Sequence, residues 1–95
     1  MQFILTGYDA KDNTAIDRRM AVRGDHLENV KNLKKTGSFI WGGAILNEGG
    51  TMIGSVIIYE YSTREELDTM LEREPYITGK VWEKVKIENF KLAQI

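Results

Sequence analysis

The sequence has no cysteine, one proline and one histidine. Without cysteine the chain can form no disulfide, thiolate nucleophile or zinc–thiolate site. An excess of charge is also missing, since 13 basic residues stand against 14 acidic ones. This balance lacks the positive surplus with which proteins bind a phosphate backbone, so we expect no nucleic-acid partner.

Long apolar segments are absent as well. No run approaches the roughly 18 apolar residues of a membrane-spanning helix, and residues 1–8 show neither a basic leader nor a small-residue cleavage site. We therefore expect a cytoplasmic protein with no membrane partner. A chain of 95 residues can bury one hydrophobic core, which predicts a single domain over residues 1–95.

Alternating and β-branched patterns predict four strands. They cover residues 2–8, 39–46, 51–61 and 81–92. The second and third are separated by Asn-Glu-Gly-Gly, a connection of hairpin length whose glycines can take positive φ. In the fourth strand the apolar phase changes near Asn89, as it does across a β-bulge.

The first helical segment lies between strands one and two. Thr14 and Asp17 match a capping box at its start, and Gly37 marks its end. Gly24 interrupts the segment, and Asp25 opens a second capping signature directly after it. We therefore expect a kink at Gly24 or a fresh helix start at Asp25.

A second helix is predicted between a capping box at Ser62 and Glu65 and the break at Pro75. The resulting order, βαββαβ, is typical of an α+β, ferredoxin-like fold with both helices on one face of an antiparallel sheet. Strand three is apolar at consecutive positions from Val56 to Tyr59, so the other sheet face is also expected to be covered. We favour a homodimer through this open face; the alternative is a solvated face with scattered apolar side chains.

One face of the first helix combines charged and apolar residues. Steps of about 100° per residue bring Arg19, Arg23 and His26 into the sector that should face the core. The other members of this sector are Val22, Val30 and Leu33. Buried cations are costly unless they are paired or face a polar cavity, which makes this sector the first place to look for a site.

Two interpretations of the cluster remain open. Imidazole changes charge near neutral pH, so His26 can act as a general acid or base while an arginine holds an anionic group of the substrate. Alternatively, His26 is a buried ring satisfied by a neighbour. In that case the two arginines would form salt bridges with Asp17 or Glu74.

Several short motifs stand out along the chain. They are the run from Arg19 to Leu27 (RMAVRGDHL), Gly42-Gly43-Ala44, Gly54-Ser55, Glu74-Pro75-Tyr76 and a last strand that ends near Phe90. In this combination the sequence resembles the YciI-like (YCII-related) family over nearly its whole length. The most specific element is the arginine-x-x-histidine-leucine signature that ends at Leu27.

The resemblance implies a ferredoxin-like fold assembled as a dimeric α/β barrel, with an active site of histidine and aspartate. It also implies kinship with proteins of which some are dehydrochlorinases or related lyases. His26 takes the histidine position, whereas Glu74 stands where the family has aspartate and is one methylene longer. We expect Glu74 to orient His26 and to stabilise its protonated form; the alternative is a solvated carboxylate at a helix end.

Further residues predict the rest of a pocket. Gly42 and Gly43 lie inside a strand, where they either leave room for a ligand or permit sheet curvature. Ser55 can donate a hydrogen bond to a ligand, but its surroundings lack the pattern of a nucleophile elbow. Tyr76 is the aromatic residue expected to line the pocket. Gly43, Ser55, Tyr76 and the two arginines form the predicted substrate-binding set.

The sequence thus supports two functions. In the first, the chain is a lyase or isomerase acting on a small organic anion, in which His26 moves a proton, supported by Glu74, while Arg23 anchors the anion. In the second, the same pocket binds a small ligand in a regulatory role, without chemistry. One histidine and no cysteine make a poor ligand set for haem or a metal, so we expect no cofactor.

Overall fold

The computed structural model describes residues 1–95 as one antiparallel sheet with helices packed on one face. The elements are β1 (Gln2–Asp9), α1 (Ala15–Lys35), β2 (Phe39–Leu46), β3 (Met52–Glu60), α2 (Arg64–Leu71), α3 (Pro75–Thr78) and β4 (Trp82–Phe90). The sheet order is β2-β3-β1-β4, and all neighbouring strands are antiparallel. This confirms the predicted α+β, ferredoxin-like arrangement, to which α3 adds one short helix. No helix is long and apolar enough to cross a bilayer.

The core lies between the sheet and its helices. Phe3 and Leu5 of β1 are buried and pair across the ladder with Tyr59 and Ile57 of β3, which are buried too. The remaining members of this cluster are Leu67, Met70, Leu71, Tyr76, Val81 and Trp82. The alternation of β1 therefore fixes which sheet face the helices cover.

The opposite sheet face carries the residues of β1 and β3 that alternate with the buried ones. Ile4 pairs with Ile58 and Thr6 with Val56 on this face. Trp41, across from Ile58 on the edge strand β2, leaves 66% of its surface exposed. The consecutive apolar residues of strand three thus serve both faces of the sheet, and one of those faces is open in the single chain.

Helix α1 runs without a break from Ala15 to Lys35, so the predicted fresh helix start at Asp25 is wrong. Gly24 is exposed, and no atom lies within 4 Å of a Cβ built on it. A glycine inside a helix costs about 1 kcal/mol relative to alanine. The packing of a 21-residue helix outweighs that cost.

The start of α1 is organised by Asp12 rather than by the predicted capping box of Thr14 and Asp17. The Thr14 hydroxyl donates to Asp12 Oδ2 at 2.7 Å and accepts no helix N–H. Arg18 Nη2 donates to Asp12 Oδ1 at 2.6 Å. These hydrogen bonds from Arg18 and Thr14 hold the pKa of Asp12 well below its usual range.

Helix α2 begins one residue later than predicted. Thr63 caps it by accepting the Glu66 N–H at 3.2 Å, so Ser62 and Glu65 do not form the expected capping box. The sequence offers two hydroxyl residues in succession, each followed three positions later by glutamate. Spacing alone fits both pairs, and only the path of the chain selects one.

The bulge predicted near Asn89 is wrong, because β4 pairs regularly with β1 up to Phe90. The apolar phase changes there because Phe90 lies on the open sheet face, opposite Gln2. The register shifts instead between Tyr8 and Asp9, where Asp9 pairs with Trp82. This irregularity brings a carboxylate and an indole together at one end of the sheet.

Candidate active site

Helix α1 directs two polar side chains toward the core. Arg19 and His26, two helical turns apart, are only 2% and 7% exposed. The other members of the predicted sector, Val22, Arg23, Val30 and Leu33, are partly buried. The apolar Met20 and Leu27 lie off this sector and are 51% and 44% exposed. The inner face of α1 therefore mixes charge with apolar contact, as the sequence predicted.

His26 contacts the carboxylate of Glu74. Its Nδ1 atom lies 2.5 Å from Glu74 Oε1, and the Glu74 side chain is completely buried. Two further groups donate to this carboxylate: the Tyr76 N–H to Oε1 at 3.1 Å, and the Asn29 side-chain amide to Oε2 at 2.9 Å. Glu74 is therefore a buried carboxylate in contact with three nitrogen atoms rather than a solvated helix-end carboxylate.

The local sequence Glu-Pro-Tyr explains where this carboxylate points. Glu74 is the N-cap of α3, with Pro75 in the first helical turn, where a missing N–H costs nothing. The Glu74 side chain accepts the free N–H of Tyr76 and is thereby turned toward α1.

The contact with Glu74 fixes the tautomer of the imidazole. An ionised carboxylate only accepts hydrogen bonds, so we assign the proton of this contact to Nδ1. In the neutral ring the lone pair then belongs to Nε2, which has no hydrogen-bond partner in the protein. That nitrogen is free to take up a proton or, once protonated, to donate it.

The His26 ring is also clamped by aromatic packing. It stacks on Tyr76 with centroids 3.8 Å apart and planes inclined by 12°, and Trp82 meets it edge-on at 6.4 Å. The Arg19 guanidinium lies 4.6 Å from the Tyr76 centroid. Burial raises the pKa of Tyr76, partly offset by Arg19 and Arg23, so this residue stays a neutral phenol near neutral pH.

Arg19 has a different partner from those that the sequence suggested. Its Nη1 donates to both carboxylate oxygens of Asp9, at 2.9 and 3.1 Å, and not to Asp17 or Glu74. Both side chains are almost completely buried. Burial raises the pKa of Asp9, and the positive charge of Arg19 opposes that shift. The charge of Arg19 is thus largely compensated inside the protein.

Arg23 is the cation that remains available. It is partly buried, lies one turn from Arg19 and forms none of the ion pairs of the structure. Its place beside the cavity gives that cavity a positive charge without an internal counter-charge.

Ser55 ties Arg19 to the sheet. Its Oγ accepts Arg19 Nη2 at 2.7 Å and the Trp82 indole Nε1 at 3.2 Å. The indole reaches this position because residue 7 is glycine: a Cβ on Gly7 would lie 2.7 Å from the Trp82 ring. The sequence therefore needs the smallest residue at this point of β1.

These residues surround a cavity of about 110 Å³. Its polar wall consists of Arg19, Arg23, His26, Ser55 and Tyr76, and its apolar wall of Leu27, Val30, Phe39, Ala44, Met52 and Ile57. Backbone of Gly42 and Gly43 completes the lining. The structure thus brings all the predicted substrate-binding residues to one cavity, with Glu74 behind His26. No group of three or more histidine, aspartate or glutamate side chains converges anywhere in the structure.

The two glycines contribute differently. A Cβ on Gly42 would lie 2.9 Å from the Phe39 ring and 3.1 Å from the Val56 carbonyl oxygen, so this position needs glycine for space. A Cβ on Gly43 would meet no atom within 4 Å. Gly43 therefore offers the cavity its backbone, and packing within the chain does not require it.

Three residues of the site were not predicted from the sequence: Asp9, Asn29 and Trp82. Asp9 directly follows the first predicted strand, residues 2–8, although it shares the inward parity of Phe3 and Leu5. Asn29 follows His26 by three positions, which places it on the same helix face. Trp82 lies in the fourth predicted strand, and no sequence pattern indicated that its indole nitrogen would donate to Ser55.

A family model described as YCII-related domain matches residues 1–91. Among curated proteins, the chain is 26% identical over 97 residues to protein YciI of Escherichia coli, with 96% of this chain and 97% of that protein covered. It is 31% identical over 68 residues to the derivative of benzaldehyde biosynthesis cluster protein C of Emericella nidulans, covering 64% of this chain and 69% of that protein.

Among solved structures, the chain is similar to 5-chloro-2-hydroxyhydroquinone dehydrochlorinase (TftG) from Burkholderia phenoliruptrix, in complex with 2,5-dihydroxybenzoquinone. The TM-score is 0.84 at 21% identity, and the match covers 98% of this chain and 96% of that one. At this identity the similarity establishes a shared fold.

Proposed function

The chain belongs to the YCII-related domain family, and we propose that it is a small-molecule lyase or isomerase in which His26 transfers a proton on a small organic anion. The observation that carries the proposal is the buried contact of 2.5 Å between His26 Nδ1 and Glu74 Oε1, which leaves Nε2 of this cavity-lining residue free as the proton-transferring atom. A positioned imidazole with one nitrogen held by a carboxylate is a typical general acid–base arrangement.

The proposed step is a proton abstraction. Nε2 takes a proton from carbon or oxygen of the substrate, and the electron pair of the broken bond stays on the substrate. That pair then either forms an enolate or expels a leaving group such as chloride. The positive charge acquired by the His26 ring lies beside the Glu74 carboxylate, and Arg23 binds the negative charge of the substrate.

The cavity size limits the substrate. An apolar protein cavity of about 150 Å³ binds benzene, so a cavity of about 110 Å³ suits a short-chain acid or, with slight opening, one six-membered ring. The ligand of the similar dehydrochlorinase structure, 2,5-dihydroxybenzoquinone, is one such oxygenated ring. This supports an elimination of the dehydrochlorinase type as one reaction within the proposed class.

The proposal includes a homodimer formed through the open sheet face. Ile4, Val56 and Ile58 lie on that face, and Trp41 stands exposed at its edge strand. Large exposed apolar patches are uncommon in monomers, and a second copy of this sheet would cover the patch with a surface of the same kind.

Solvent deuterium exchange tests the proton transfer with a panel of compounds and does not require the substrate to be identified first. Small keto acids, hydroxy acids and hydroxylated ring compounds are incubated with the protein in D₂O, and loss of C–H signal or appearance of product is followed by proton NMR. We expect exchange or turnover with one chemical group of compounds, and its loss in His26→Ala.

Lys31→Ala, at an exposed position of the same helix, is the matched control and should behave as wild type. Circular dichroism of each variant verifies the fold. A compound that perturbs the His26 ring protons but is returned unchanged, with no deuterium incorporated, would instead support the binding-module alternative.

A further inference from the structure

Ser55 occupies an unusual hydrogen-bonding position in the cavity wall. Its side chain is buried, and its Oγ receives two N–H donors, Arg19 Nη2 at 2.7 Å and Trp82 Nε1 at 3.2 Å. A hydroxyl group has two acceptor lone pairs and one proton. Guanidinium and indole nitrogens only donate, so both lone pairs of this oxygen are engaged and the proton remains.

No group of the protein accepts that proton. Asp9, the carboxylate paired with Arg19, has both oxygens bound by Arg19 Nη1 and forms no hydrogen bond with Ser55. Ser55 forms no hydrogen bond as a donor, and its residue lines the cavity together with His26 and Arg23. Buried hydroxyl groups are nearly always hydrogen-bonded, and a ligand bound in the cavity can provide the acceptor for the Ser55 proton.

We propose that Ser55 acts only as a hydrogen-bond donor toward the ligand, and that it selects ligands with a carbonyl or enolate oxygen at this point, while Arg23 binds the negative charge of the ligand. Trp82 and Arg19 are positioning residues. They occupy both lone pairs of Ser55 Oγ, so the hydroxyl can only donate a hydrogen bond to a ligand, a restriction that we call the donor polarity of Ser55. A ligand with an ammonium or amide N–H at this point would meet a donor and an uncompensated Arg23 charge. The inference rests on the proposed function for its substrate site and adds the identity of the recognised group.

The same geometry determines what Ser55 does not do. A nucleophilic oxygen needs a free lone pair and a base that takes its proton. Here both lone pairs are bound, and His26 forms no hydrogen bond with Ser55. Ser55 therefore binds an oxygen of the ligand while His26 moves the proton.

Neutron crystallography of the wild-type protein, with exchangeable hydrogens replaced by deuterium, tests the polarity directly. We expect the Ser55 deuteron to point into the cavity, toward solvent or toward the keto oxygen of soaked pyruvate. A deuteron directed at Asp9 or at a backbone carbonyl would overturn the proposal. This result does not depend on any reaction, so it stands or falls separately from the proposed enzyme function.

Selectivity is measured with pyruvate and L-alanine, which share a carboxylate and a three-carbon frame but offer a keto oxygen and an ammonium group. Titration is followed through the His26 ring protons. We expect wild type to bind pyruvate more tightly, and Ser55→Ala to lower pyruvate affinity about tenfold with little change for alanine. No preference for pyruvate in wild type, including failure of both to bind, would overturn the assignment of the recognised group.

Trp82→Phe separates positioning from packing, because it removes the indole N–H and keeps an aromatic ring. One Ser55 lone pair becomes free, so the hydroxyl can accept from a ligand, and the ratio of pyruvate to alanine affinity should fall toward one. An unchanged ratio would show that Trp82 does not impose the polarity.

Discussion

His26 and Glu74 are 48 positions apart in the chain, yet Nδ1 of one lies 2.5 Å from Oε1 of the other. The contact joins the middle of α1 to the N-cap of α3, and three donors hold the carboxylate in place. The Glu74 side chain therefore reaches the imidazole of His26 from the N-cap position of α3. The structure accommodates the methylene by which Glu74 is longer than aspartate.

The first prediction concerns the length of that side chain. Glu74→Asp should withdraw the carboxylate by on the order of 1 Å, a displacement that lowers rates about a hundredfold. The measurement is the rate of deuterium exchange or turnover with the compound that wild type uses. Glu74→Gln is the comparison, since it keeps the length and removes the charge. An aspartate variant as fast as wild type would show that the contact with His26 does not limit the rate.

The second prediction concerns Tyr59, whose hydroxyl is buried without a hydrogen-bond partner. An unsatisfied buried polar group costs about 1–3 kcal/mol, so Tyr59→Phe should raise the free energy of unfolding by about 1 kcal/mol. Urea unfolding near neutral pH measures this change. A loss of stability in the variant would mean that the hydroxyl is satisfied after all.

The same variant has a pH signature. Burial, reinforced by the negative charge of Glu74, raises the pKa of Tyr59 well above its ordinary value of 10.0. Above that ordinary value the unfolded chain loses a proton that the folded chain keeps, so wild-type stability falls as the pH rises further. Tyr59→Phe should show a shallower decline. The part that remains comes from Tyr61 and Tyr76, whose pKa values are also raised by burial.

The third prediction follows from the unbroken helix α1. Gly24→Ala should stabilise the protein by about 0.5–1 kcal/mol, because alanine lowers the entropy of the unfolded chain and no atom lies within 4 Å of the new Cβ. Thermal or urea unfolding provides the measurement. Gly50→Ala is the contrasting variant and should destabilise, since Gly50 has a φ of 85° that alanine adopts poorly. Equal effects at both positions would contradict this explanation.

The fourth prediction concerns the open sheet face. In the proposed homodimer, Trp41→Glu places a charge within the covered surface and should shift the protein to a monomer. Sedimentation velocity at several protein concentrations measures the proportions of monomer and dimer. Met20→Glu, at a half-exposed apolar position on α1, is the matched control and should leave the oligomeric state as in wild type. A dimer that tolerates Trp41→Glu would place the interface elsewhere.

Local patterns were enough for most of the fold. The predicted bounds of β2 agree with the structure, and those of β1 and β3 differ from it by one residue at one or both ends. The helical phase of α1 correctly predicted that Arg19 and His26 lie on its inner side. The predictions that were wrong concern the helix start at Asp25, the two capping boxes and Asn89. In each case a short local signal competed with packing or with a neighbouring residue of the same chemistry, and sequence spacing carries no information about that competition.

The sequence by itself determined the inventory of the site: a lone histidine on a core-facing helix, arginines beside it, and a carboxylate before the only proline. The tertiary structure alone decided the pairing. In the folded chain Arg19 pairs with Asp9, whereas Arg23 forms no ion pair. Asn29 donates to Glu74, and the Trp82 indole donates to Ser55. Hydrogen bonds between distant elements require distances of about 3 Å, and such distances arise only once sheet register and helix packing are fixed together.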